Sequence, residues 1–135
     1  MTKNILIFLC CILCFVIQAN AQYTQIPDPN FEAALSSLDN ITGDGQIPTS
    51  NIESLTALNV ANKNINSLSG IEDFTSLKQL TANDNLLTSI DITNLLDLEE
   101  LILYNNQITS IDLSNNPNLK EIDFYNNQLS SLDIS

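Results

Sequence analysis

Apolar and polar residues alternate within a nine-residue unit that occurs four times along the chain. The unit reads LKQLTANDN at 77–85, LEELILYNN at 98–106 and LKEIDFYNN at 119–127, with a spacing of 21 residues, and an earlier version, LTALNVANK, occupies 55–63. In every copy the fourth and sixth residues are apolar, and most of the residues between and beside them are polar, a period of two that predicts a short strand with one apolar face. The chain therefore divides into repeats 55–76, 77–97, 98–118 and 119–135, the last of them incomplete.

One such strand cannot bury its apolar face alone, so the copies must stack. Stacking predicts a parallel sheet with a strand spacing of about 4.8 Å and a continuous core beneath it. The ninth residue of the unit is Asn85, Asn106 and Asn127 in three copies, and Lys63 in the first. We expect the three asparagines to face the core, where a buried amide needs hydrogen-bond partners, and Lys63 to reach solvent.

Residues 55–135 resemble the leucine-rich-repeat superfamily, whose pattern is L-x-x-L-x-L-x-x-N-x-L. The one departure is Lys63, which stands where the pattern has asparagine. The resemblance implies a solenoid with short parallel strands on a concave face. It also implies that Asn85, Asn106 and Asn127 form an asparagine ladder bonded to neighbouring backbone groups.

The second half of each repeat is predicted to be extended or turn-rich, with short strand character. The segments LTSIDI at 87–92, ITSIDL at 108–113 and LSSLDI at 129–134 alternate, and 21 residues leave little room for a helix. The first repeat has SGIEDF at 69–74 instead, which is compatible with a single helical turn.

Residues 22–54 form a different segment, which we interpret as an N-terminal cap. Asp28 can cap a helix whose first residue is Pro29, and Glu32 favours the positive end of the helix dipole. A helix over about 29–38, followed by a loop, would cover the edge of the first repeat, as solenoids require. The segment resembles the N-terminal caps of internalin-like and other secreted bacterial leucine-rich-repeat proteins. The helical apolar stripe consists of Phe31, Ala34, Leu35 and Leu38.

Residues 1–21 are predicted to be a signal peptide. Lys3 gives a positive start, 5–17 is an apolar run too short for a bilayer core of about 30 Å, and Ala-Asn-Ala at 19–21 is a cleavage signature. The alternatives are an uncleaved anchor and a lipoprotein anchor on one of the cysteines, Cys10, Cys11 or Cys14, which otherwise fill the apolar run. We expect a secreted or cell-surface protein that is not inserted in the membrane after cleavage.

Composition excludes several functions. A formal charge of −12, with four lysines and no arginine, argues against nucleic acid as a partner, because that needs a basic patch. The chain has no histidine, and its cysteines lie within the predicted signal peptide, so the usual activated nucleophiles lack a base. Paired carboxylates for glycoside hydrolysis remain, but the acids recur at exposed positions of the repeat. We therefore expect no enzymatic activity.

Two features are weak candidates for calcium, and no cofactor is expected. Asn40, Thr42 and Asp44 have the alternating oxygen side chains of a calcium loop, but asparagine at 40 and at 51 replaces the acids of the full pattern, which favours a glycine-rich turn. Asp91, Asp112 and Asp133 form a column at one repeat position, where water screens their repulsion and a solvated face is the simpler interpretation.

The outward residues of the concave face are the candidate binding site for a protein or glycan ligand. Repeat three offers Ile102 and Tyr104, and exposed aromatic residues are enriched at binding hot spots. A pair of tyrosines, Tyr104 and Tyr125, one repeat apart, would alternatively only stiffen the sheet. Lys78, Glu99 and Lys120 should form a column of alternating charge. The candidate binding residues are Glu100, Ile102, Tyr104, Glu121, Asp123 and Tyr125.

We expect a secreted or cell-surface interaction module that binds a partner through its concave face. A passive adhesin stalk or spacer, and an accessory domain of a larger secreted enzyme, are the alternatives. The last repeat stops four residues short of 21, so we expect the sequence to be a fragment of a longer protein.

Overall fold

The computed structural model describes residues 22–39 and 41–133. The predicted signal peptide with its three cysteines, Asn40, Ile134 and Ser135 lie outside the described residues. The described elements are β1 (Tyr23–Gln25), α1 (Pro29–Ala34), β2 (Gln46–Pro48), a 3-10 helix (Thr49–Asn51), β3 (Ala57–Asn59), a second 3-10 helix (Ile71–Asp73), β4 (Gln79–Thr81), β5 (Glu100–Ile102), β6 (Ser110–Asp112), β7 (Glu121–Asp123) and β8 (Ser131–Asp133).

The four predicted strands form one parallel sheet in the order β3-β4-β5-β7. Its register aligns the fourth residue of every unit, so that Leu58, Leu80, Leu101 and Ile122 are Cα partners. This is the stacking that the 21-residue spacing requires. The predicted leucine-rich-repeat solenoid is therefore confirmed.

The core runs as a continuous column beneath this sheet. Leu80 and Leu101 are fully buried between neighbouring repeats, and so are the leucines that open the units, Leu77 and Leu98. Ile122, in the same column, is 43% exposed because no strand lies beyond β7 in the described part of the sheet. Burial at each position thus depends on having a repeat on both sides.

The returning half of each repeat is extended or turned, as predicted. β6 and β8 pair in parallel and form a short second sheet. In the first repeat the 3-10 helix Ile71–Asp73 lies within 69–74, which confirms the single helical turn expected there. Lys63 is exposed at the end of the first unit, also as expected.

The cap helix begins where the sequence indicates but ends early. The Asp28 carboxylate accepts hydrogen bonds from the backbone N–H groups of Asn30 and Phe31, and Pro29 is the first helical residue. The predicted range 29–38 was wrong at its C-terminal end, since α1 ends at Ala34 and 35–38 is a turn. Two consecutive serines, at 36 and 37, explain the early end, because serine competes with helical hydrogen bonding.

The cap is joined to the first repeat by aromatic, polar and close backbone contacts. Phe31 and Phe74 stack with ring centroids 6.3 Å apart. Thr24, in the antiparallel β1–β2 pair, is buried and donates a 2.6 Å hydrogen bond to the Asp73 carboxylate. Gly70 adopts φ +99° where the chain passes directly under β1. These contacts hold 22–54 against the open end of the solenoid.

Within the part of the chain that the structure describes, no helix has the length and hydropathy needed to cross a membrane.

Candidate binding face

The sheet places the six candidate binding residues side by side on two neighbouring strands. Glu100 of β5 is the register partner of Glu121 of β7, and Ile102 is the partner of Asp123. Tyr104 and Tyr125 follow the two strands, and the backbone N–H of Asn105 donates to the Tyr125 carbonyl at 2.9 Å. Repeats three and four therefore present these residues as one surface, hereafter the tyrosine face (Glu100, Ile102, Tyr104, Glu121, Asp123 and Tyr125).

The tyrosines are accessible and do not stack on each other. Tyr125 is 76% exposed, while Tyr104 and Ile102 are half-buried. Among the described residues, the aromatic pair in stacked contact is Phe31 with Phe74, in the core. A ring that is exposed and has no aromatic partner leaves its face available to a ligand.

The acidic residues of the tyrosine face bond to neutral groups only. Glu100 accepts a 3.0 Å hydrogen bond from the Gln79 side chain, and Asp123 accepts one from the Tyr125 backbone N–H. Two carboxylates in register on adjacent strands, Glu100 and Glu121, repel each other. The face therefore carries three negative charges in a small area.

The expected column of alternating charge lies at the start of the same strands. Glu99 is flanked by Lys120 at 2.6 Å and by Lys78 at 3.6 Å. The hydrogen bond and charge of Lys120, with a smaller effect of Lys78, lower the pKa of Glu99. Both lysines are thus occupied by this one carboxylate. A groove of about 270 Å³ runs between this column and the tyrosine face, lined by Thr56, Lys78, Gln79, Glu99, Glu100, Lys120 and Glu121.

The inward asparagines form a continuous ladder. The Asn106 amide donates to the carbonyls of Ala82 and Leu103, both at 3.0 Å, and its oxygen accepts from the Leu87 N–H. Asn127 bonds the carbonyls of Leu103 and Phe124 and the Ile108 N–H in the same way. Asn85 makes the matching bonds toward the first repeat, to the Val60 carbonyl and the Ile65 N–H. Each asparagine amide therefore bonds a carbonyl of its own repeat and main-chain groups of the preceding repeat.

A second asparagine ladder lies on the outside and was missed by the sequence analysis. Asn126 donates to the Asn105 side chain at 2.9 Å, and Asn105 donates to the Asp84 carboxylate at 2.7 Å. These residues and Asn62 adopt positive φ of 54° to 56°. Asn83 is 7% exposed, and its amide donates to the Asp84 carboxylate. Recurring Asn or Asp just before the inward asparagine was the available signal, since these residues tolerate the left-handed conformation.

The weak calcium candidate at 40–44 is organised around an internal carboxylate. Glu32 Oε1 accepts the backbone N–H groups of Gly43, Asp44 and Gly45 at 2.7 to 3.1 Å. The Asp44 carboxylate accepts from the Gln46 N–H, and Asn40 is outside the described residues. A loop that turns three N–H groups inward is suited to an anion, and Glu32 supplies it. The three hydrogen bonds to Glu32 are consistent with the glycine-rich turn.

The aspartate column on the returning side also bonds within its own turns. Asp91 accepts from the Thr93 hydroxyl at 2.7 Å and from its N–H, which lowers the pKa of Asp91. Asp112 accepts from the Ser114 N–H in the same manner. Across residues 22–39 and 41–133, no group of three or more His, Cys, Asp or Glu side chains could hold a metal ion.

Comparison with known proteins supports the fold. A family model of leucine-rich repeats in two copies matches residues 97–135. The functional domain of InlJ from Listeria monocytogenes is similar, with a TM-score of 0.76 and 25% identity over 84% of this chain. An internalin of the same organism, InlF, gives a TM-score of 0.68 and 29% identity over 82%. A leucine-rich-repeat protein of Leptospira interrogans gives 0.59 and 28% over 62%.

The chain is shorter than these proteins. It spans 26% of the InlJ chain, 37% of the InlF chain and 22% of the Leptospira chain. The InlJ domain includes a cysteine ladder, whereas this sequence has no cysteine after residue 14 and has asparagines at the ninth position of its units. Comparison with curated proteins finds no match.

Proposed function

Because the chain is an internalin-like leucine-rich-repeat solenoid, we propose that it is a secreted or cell-surface module that binds a partner protein through the tyrosine face. The predicted signal peptide at 1–21 supports export, and the internalin-like fold supports protein interaction. No catalytic role is proposed for any residue.

The accessibility of the two tyrosines is the observation that carries this proposal. Tyr125 is 76% exposed, and Tyr104 and Ile102 are half-buried beside it, on a sheet whose other face buries Leu80 and Leu101 completely. At protein interfaces a few aromatic residues account for a large share of the binding free energy, because their side chains bury a large area at low entropic cost. Polar neighbours on both sides keep the face soluble in the absence of a partner.

The proposal is tested with a double variant, Tyr104→Ala with Tyr125→Ala. Immobilised residues 22–135 would be exposed to proteins from the surroundings of the producing cell, and the retained proteins compared by mass spectrometry. We expect at least one protein that the unsubstituted chain retains to be lost from the double variant.

The matched control is Leu96→Ala, which removes an apolar side chain that is 58% exposed on the returning side of the solenoid. This variant should retain the same proteins as the unsubstituted chain. Equal retention by the tyrosine variant would refute the proposal and favour a passive spacer. Loss from both variants would show that the retained proteins adhere to exposed apolar residues in general.

A further inference from the structure

Charge is distributed unevenly over the concave face. In the first two strands the positions in register with Glu100 and Ile102 are neutral: Ala57 and Asn59 in β3, and Gln79 and Thr81 in β4. In β5 and β7 the same positions carry three carboxylates. Acidity therefore increases toward repeats three and four, the repeats that carry the tyrosines.

Lysines of the described region do not neutralise these carboxylates. Lys78 and Lys120, which line the groove together with Glu100 and Glu121, both bond Glu99, and Lys63 is exposed in the first repeat. Like charges in register, such as Glu100 and Glu121, destabilise a sheet. A cationic partner would replace that repulsion with attraction between opposite charges. Docking would also exclude water from the face, and the lower local dielectric constant would strengthen the attraction.

The tyrosines add a contact that also prefers cations. An arginine guanidinium within about 6 Å of a tyrosine ring face is attracted by the ring quadrupole. Tyr125 is highly exposed, and its backbone N–H donates to the Asp123 carboxylate at 3.0 Å, which holds that carboxylate against the residue that carries the ring. An arginine docked here could bond the carboxylate while stacking on the ring.

We propose that the tyrosine face docks a basic segment of a protein, rich in arginine or lysine. This inference rests on the proposed function and specifies the chemistry of the partner. Charge complementarity selects the occupant: three carboxylates, none of them ion-paired among the described residues, lie beside the exposed Tyr125 and a groove of about 270 Å³ whose two lysines are paired with Glu99.

An octa-arginine peptide is the probe, titrated into residues 22–135 by calorimetry at low and moderate salt. The test variant is Glu100→Gln, Glu121→Gln and Asp123→Asn together. The control variant, Asp91→Asn, Asp97→Asn and Asp112→Asn, has the same net charge but changes exposed acids on the returning side. We expect the Kd for octa-arginine to rise about tenfold or more in the test variant and less than about threefold in the control.

The contribution of the aromatic ring is tested separately. Tyr125→Ala, which leaves the net charge unchanged, should raise the Kd for octa-arginine about threefold.

Equal weakening by the two triple variants would overturn the inference, since it would show that the peptide senses only net charge. No effect of Tyr125→Ala would also contradict it, because the ring would then lie outside the docking site. The proposed function is judged separately. If the octa-arginine test fails in either of these ways while the tyrosine double variant still loses a retained protein, the face binds a partner that is not basic. If that protein is kept while octa-arginine binding fails only in the test triple variant, the basic site stands and the proposed function does not.

Discussion

Two adjacent asparagines in each of repeats three and four hold the solenoid together in different ways. Asn106 turns inward and is 7% exposed, with its amide bonded to main-chain groups of two repeats. Asn105 adopts φ +56° and bonds side chains of the neighbouring repeats on the outside. The inward position needs an amide side chain of the length of asparagine to reach the main-chain groups. The outward position needs a residue that tolerates the left-handed backbone conformation.

Replacing Asn106 by alanine should destabilise the chain strongly. The carbonyls of Ala82 and Leu103 and the N–H of Leu87 would lose their partner inside the core. Leaving buried polar groups unsatisfied predicts a loss of roughly 2–4 kcal/mol in the free energy of unfolding, measured by urea denaturation. Gln107→Ala, at the exposed neighbouring position, should change it by less than about 0.5 kcal/mol. Similar losses in the two variants would show that the ladder contributes little.

Asp28 should make stability depend on acid pH. Burial would raise its pKa, but the backbone N–H groups of Phe31, Asn66, Ser67 and Asn30 outweigh burial and hold the pKa below 3.8. Because the folded pKa is depressed, the stabilisation is present above the unfolded pKa of about 3.9 and is lost as pH falls through the folded value.

Denaturation at pH values from 7 to 2 tests this effect in the unsubstituted chain and in Asp28→Asn. The variant should be less stable at pH 7, and the difference should shrink below about pH 4. A difference that stays constant over this range would mean that the charge of Asp28 has no role.

At the scale of elements, the contact between cap and first repeat depends on one backbone position. A Cβ atom at Gly70 would lie 2.5 Å from the Gln25 carbonyl oxygen and 2.5 Å from Ile26 Cδ1. Gly70→Ala should therefore displace β1 and cost roughly 2–4 kcal/mol, from backbone strain together with overpacking. Gly43, also at positive φ, has no atom within 4 Å of the same Cβ position.

Gly43→Ala is accordingly the matched control and should cost about 1 kcal/mol, the strain alone. The loss in the free energy of unfolding is to be measured for both variants by thermal or urea denaturation. Equal costs at the two glycines would show that the cap does not pack tightly on the first repeat.

Elements were predictable from the sequence where they repeat and less so where they occur once. The strands and their register follow from the 21-residue spacing, because a stacking error would expose Leu80 or Leu101. The end of α1 depends on local competition at the serines after Leu35. The loop at 43–45 depends on Glu32, which lies 11 residues earlier and reaches the loop only through tertiary packing. The outer ladder was not predicted because exposed asparagines look alike whether or not they bond each other.

The candidate site was predictable only as a set of outward positions. The alternation of apolar and polar residues predicts which side of the sheet these residues occupy, and the 21-residue spacing predicts which of them are adjacent. That the rings of Tyr104 and Tyr125 are not stacked, and that both lysines bond Glu99, depends on side-chain geometry that the repeat pattern does not specify.

At the scale of the whole molecule, the inward and outward faces of the parallel sheet are expected to have different roles. Inward residues of β3, β4, β5 and β7 stabilise one repeat against the next, as in other solenoids. Outward residues of β5 and β7 lie on the opposite side of the sheet from the buried core, and we propose that they contact a partner. The fold is therefore expected to tolerate changes on the tyrosine face.

The most direct measurement compares the free energy of unfolding for truncations on the two faces. Leu101→Ala, at a fully buried position of β5, should cost about 3 kcal/mol, whereas Tyr104→Ala with Tyr125→Ala should cost less than about 1 kcal/mol. A loss in the tyrosine variant as large as that in Leu101→Ala would contradict the account, because the exposed rings would then hold the sheet together instead of meeting a partner.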